Sequence, residues 1–106
     1  MIRITIFEKD EQVQRLVVKG HAGYAKEGSD IVCSAVSSIV ITSVNAILRL
    51  DAQAITYEEK EGFISIEVLT HGNVVDTLIL NLIELLKELE KQYRNNVKIN
   101  KEVSSC

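Results

Sequence analysis

Within "GHAGYAKEGSDIVCSAVSS", residues 20–38, stand the two side chains best equipped for nucleophilic chemistry, His21 and Cys33. A thiol becomes a strong nucleophile on losing its proton. The unpaired N–H groups and aligned dipoles at a helix N-terminus favour a thiolate. An imidazole nearby adds to this by taking the proton. Spacing by itself carries little information, and a cysteine in a first helical turn is commonly a small buried hydrophobe. Asp30 has two roles open to it. As an N-cap its carboxylate accepts from backbone N–H groups at Val32 or Cys33 and partly opposes thiolate formation. If Ser29 caps instead, Asp30 is free to orient His21 as the third member of a triad does.

The elements that must position these groups follow from periodicity. Ile2, Ile4 and Ile6 alternate with Arg3, Thr5 and Phe7, and "VQRLVVKG" returns as a second strand ending at Gly20, which makes a hairpin with His21 at its exit. From Ile31 the period becomes helical, with Val32, Val36, Ile39, Val40, Ser43, Ile47 and Leu50 on one stripe, so a helix over about residues 31–50 carries Cys33 in its first turn. "AITYEE" and "FISIEVL" form a second strand pair around "KEG". A second helix carries Val75, Leu78, Ile79, Leu82, Leu85, Leu86, Leu89 and Tyr93 on one face, and Asn73 and Asp76 at its start have the spacing of a capping box. "NNVKINKEV" supplies a last strand. The expected fold is α+β, two helices packed on a largely antiparallel sheet in the order β-β-α-β-β-α-β, as one domain over residues 1–106. Residues 21–30 make a connection of about ten residues, longer than the usual roughly 4–6, and Gly20, Gly23 and Gly28 fall in or beside it.

Bulk composition narrows the classes. Hydrophobic residues make up 46% and charged residues 25%, the balance of an ordinary globular domain. A net charge of −3 and a pI near 5.4 advertise no basic surface, so direct nucleic-acid binding is not expected. The N-terminal stretch lacks the features of a signal peptide. No uninterrupted apolar run approaches the roughly 18 residues of a membrane span. A cytoplasmic location and no membrane contact are therefore expected. His21, Cys33, His71 and Cys106 include no CxxC or HxxxH pairing, so neither metal nor other cofactor is expected. "GHAGYAKEG" fits no phosphate-binding glycine motif. A thiol switch would lack a resolving cysteine close in sequence to Cys33.

Taken whole, the stretch resembles the signature of the ribosomal-processing cysteine proteases, the Prp family: Gly-His-Ala, a glycine-containing loop, then Gly-x-Asp-x-Val-Cys, a small residue and closely spaced serines. Gly20, His21, Ala22, Gly28, Asp30, Val32, Cys33, Ser34, Val36, Ser37 and Ser38 meet it, with Ser34 standing where many relatives carry alanine. The resemblance covers essentially the full chain. It implies an endopeptidase that removes a short N-terminal extension from a bacterial large-subunit ribosomal protein, after a hydrophobic, aromatic-ended stretch. It implies His21 as general base and Cys33 as nucleophile, a motif position for Asp30, a peptide substrate and a homodimer. In such a protease the backbone N–H groups of Cys33 and Ser34 could hold the oxyanion. Residues Ala22, Gly23, Tyr24, Ala25, Lys26, Glu27, Gly28 and Ser29 would form a mobile substrate loop. The competing expectation is a non-catalytic ribosome-assembly factor that binds ribosomal protein or RNA.

Overall fold

A computed structural model describes residues 1–26 and 30–104. The elements run β1 (Ile2–Lys9), β2 (Gln12–Lys19), α1 (Ile31–Leu50), β3 (Ile55–Lys60), β4 (Phe63–Val68), α2 (Asn73–Gln92) and β5 (Val97–Ser104). The five strands form one sheet in the order β3-β4-β2-β1-β5. The pairs β1·β2, β2·β4 and β3·β4 are antiparallel, whereas β5 lies parallel to β1. The fold is α+β with a mixed, mostly antiparallel sheet.

Register explains which face is buried. Ile4 opposes Val18, Ile6 opposes Leu16, Leu16 opposes Ile66 and Ile2 opposes Val97, so one face presents a continuous aliphatic surface. Both helices contribute to the core with it: Val32, Val36, Val40, Val44 and Ile47 of α1, and Val75, Ile79, Leu82, Ile83, Leu86 and Leu89 of α2. Leu50 and Leu85, placed on these stripes by spacing, are exposed instead. The other sheet face is mixed, with buried Val17 between Thr5 and Ser65, the Arg15 Nε donating to Ser65 Oγ at 3.2 Å and its guanidinium over the Phe7 ring.

One local expectation is corrected. The α2 N-cap is Gly72, without a side-chain cap bond, because Asp76 turns to His71, whose Nδ1 lies 3.0 Å from its Oδ1. The helix α1 also meets the length and hydropathy of a membrane span, at a mean hydropathy of 2.1. Its serines, threonine and asparagine interrupt the apolar run without adding charge until Arg49. In the fold its valine stripe is buried in the core.

Candidate active site

The site is built where β2 leaves the sheet. Gly20 follows the strand with φ +95°, its N–H donating to Gly62 O at 2.9 Å. A Cβ here would sit 2.5 Å from Met1 O, so backbone conformation and space both demand glycine. His21 then projects over the β3–β4 turn. Gly62, at φ +68°, lets the imidazole lie close, since a Cβ at this glycine would come 3.2 Å from His21 Nε2.

Cys33 is the third residue of α1 and half-buried. Its Sγ accepts from the Ala22 N–H at 3.2 Å. Because Ala22 is the neighbour of His21, that bond brings the histidine backbone to the sulfur. His21 and Cys33 line one groove of about 480 Å³, between the start of α1 and the β3–β4 hairpin, together with Val36, Ser37, Glu59 and Phe63. Among the described residues no hydrogen bond joins the imidazole to the thiol. Such bonds are often long without substrate and tighten in the complex.

Asp30 is buried and caps α1. One carboxylate oxygen accepts from Val32 N at 2.9 Å and Cys33 N at 3.1 Å; the other accepts from Tyr24 N at 2.9 Å and Ala25 N at 3.2 Å. Burial pushes its pKa up, but the hydrogen bonds from Cys33, Ala25, Tyr24 and Val32 together outweigh this and hold it below its ordinary value. Of the two roles open to Asp30, the structure places it in the capping one. Both oxygens face backbone donors, and no hydrogen bond joins it to His21 among the described residues.

The two backbone N–H groups expected to hold the oxyanion both have partners here. The Cys33 N–H is directed to the Asp30 side chain, and the Ser34 N–H to the Asp30 carbonyl at 3.1 Å. The first bond is the side-chain cap and the second the first main-chain bond of the helix.

The loop expectation is also refined. Ala22 is buried, and its carbonyl accepts from Asn96 Nδ2 at 3.0 Å. Tyr24 packs edge-on against Tyr93, with ring centroids 5.4 Å apart, and the Tyr24 and Ala25 N–H groups are held by Asp30. Ala22, Tyr24 and Ala25 therefore form a strap with defined anchors, while Gly23 and Lys26 are exposed. Glu27, Gly28, Ser29 and Cys106 lie outside the described residues.

Three participants escaped the sequence reading as parts of the site. Ser37 stands one helical turn after Cys33, and that i,i+4 spacing was a usable signal. Gly62 and Asn96 had none, since each meets the site only through chain folding. Among the described residues no three His, Cys, Asp or Glu side chains gather as metal ligands.

Comparison with known proteins identifies the family. A family model described as "Cysteine protease Prp" matches residues 1–98. A ribosomal processing cysteine protease Prp from Staphylococcus aureus is 33% identical over 94% of this chain and 98% of its own length. One from Bacillus subtilis is 27% identical over 93% and 96%. A crystal structure of the S. aureus protease with a covalently linked product peptide superposes with a TM-score of 0.90 at 26% identity, over 96% of this chain and all of the other. A second, with a substrate peptide, gives a TM-score of 0.84 at the same identity, over 96% of this chain and all of the other.

Proposed function

The chain belongs to the cysteine protease Prp family, and from that premise we propose that it removes a short N-terminal extension from a bacterial large-subunit ribosomal protein by means of a Cys33–His21 dyad. Relatives named as ribosomal processing proteases support the class of target. The observation that carries the dyad is the Ala22 N–H bonded to Cys33 Sγ, with His21 adjoining in the same groove.

The chemistry follows. His21 takes the Cys33 proton, and the thiolate sulfur adds to the scissile carbonyl carbon, placing negative charge on its oxygen. The carbonyl re-forms as the C–N bond breaks, and His21 delivers the proton to the leaving amine. That leaves the N-terminal extension as a thioester on Cys33. Water adds to the thioester carbonyl while His21 accepts its proton; the C–S bond then breaks, releasing a carboxylate product and restoring the thiol. Asp30 sets the frame by holding the first turn of α1 and the strap to one carboxylate.

We place the protein in the cytoplasm, where a ribosomal precursor would meet it, as a homodimer acting on peptide and not on nucleic acid; the net charge of −3 supports the last point. The test is incubation with a precursor ribosomal protein and sequencing of the new N-terminus. Cys33→Ala should abolish cleavage in a folded protein, and His21→Ala should lower it by about 100-fold or more. A Cys33→Ala variant that still trims the precursor would remove the assignment.

A further inference from the structure

We infer that Asn96, 74 residues from Ala22 in the chain, is a positioning residue for the nucleophile: it holds the strap so that the Ala22 N–H stays on the Cys33 sulfur. This rests on the reading of Cys33 as nucleophile.

Asn96 is itself fixed by backbone bonds at the joint between α2 and β5. Its N–H donates to Tyr93 O at 2.9 Å, and its carbonyl accepts from Ile2 N at 2.8 Å. Neither bond uses the side chain, which is therefore free to act elsewhere without loosening the joint. Its Nδ2 donates to Ala22 O. Ala22 is thus held at three points: its methyl is buried, its N–H donates to the sulfur and its carbonyl accepts from Asn96. The following residue offers little restraint of its own. Gly23 has φ +70°, and among the described residues a Cβ there would meet nothing within 4 Å. Without the Asn96 donor, the Ala22–Gly23 peptide can turn at this glycine, and the Ala22 Cα, which joins it to the peptide whose N–H meets Cys33, loses one of its anchors.

An N–H aimed at sulfur stabilises the thiolate more than the thiol, since a charged acceptor makes the stronger bond. Asn96 therefore acts on the reacting atom through Ala22, and its loss should change reactivity more than stability. Tyr93, against Tyr24, supports the same strap from the same joint through a ring contact.

The test uses the full chain with Asn96→Ala and the near-isosteric, uncharged Asn96→Leu. Iodoacetamide alkylation is followed by peptide mapping, which reads Cys33 apart from Cys106. In folded protein, both variants should alkylate Cys33 about five-fold more slowly near neutral pH, the scale of one lost hydrogen bond. Their pH profiles of alkylation should move to higher pH, and kcat for precursor cleavage should fall with KM little changed. If either folded variant keeps the wild-type alkylation profile and kcat, the inference is overturned while the protease reading stands. Cleavage by Cys33→Ala would sink the protease reading itself.

Discussion

Asp30 engages four backbone N–H groups from two segments, so its charge bears on both the helix start and the strap. Its folded pKa is lowered by those bonds. A depressed carboxylate adds stability that is fully present above its unfolded pKa, about 3.9, and is lost as pH falls through the lower folded value. Urea midpoints should therefore decline in acid below about pH 4. In Asp30→Asn that decline should be shallower, and stability at neutral pH should be lower. The amide nitrogen would face N–H donors on one side of the cap, so the strap should loosen and precursor cleavage should fall by about ten-fold or more. An Asp30→Asn protein with wild-type cleavage and an unchanged acid profile would contradict this account.

The elements meet at the site because the β3–β4 hairpin walls it opposite α1. Gly62 gives that wall its close approach to His21 and adopts a left-handed φ. Gly62→Ala should cost about 1–2 kcal/mol through backbone strain. Its methyl would also press on the imidazole and lower kcat by about ten-fold, because small misplacements of catalytic groups carry large rate penalties. Thermal melting and single-turnover cleavage separate the two effects. A variant that loses stability but keeps its single-turnover rate would show that the hairpin does not place the imidazole.

At the scale of the whole molecule, two helices cover the core-facing side of the sheet. Several large apolar residues remain exposed on those helices, among them Ile31, Ile41, Leu50, Val74 and Leu80. Single exposed apolar residues are ordinary on a protein surface, so these do not define an interface by themselves. The homodimer proposed on family grounds should nevertheless sediment at twice the 11.8 kDa chain mass. A monomer at working enzyme concentration would refute it.

Much of the fold was legible because periodicity is local. The alternation of Ile2, Ile4 and Ile6 and the valine stripe of α1 each identify their element and its inward face without reference to any distant partner. The identity of the His21–Cys33 motif was likewise written in nineteen consecutive residues, and the family match over residues 1–98 accords with it. Alternation cannot say which neighbour a strand takes, so the parallel pairing of β5 with β1 came only from the tertiary structure. The same holds for the choice between the two roles of Asp30. Cap and orienter use the same carboxylate, and what decides is the return of Tyr24 and Ala25 to its second oxygen. Gly62 beneath His21 and Asn96 on Ala22 belong wholly to the tertiary level. A hydrogen bond across 74 residues leaves no periodic trace, because it depends on where helix and strand ends converge.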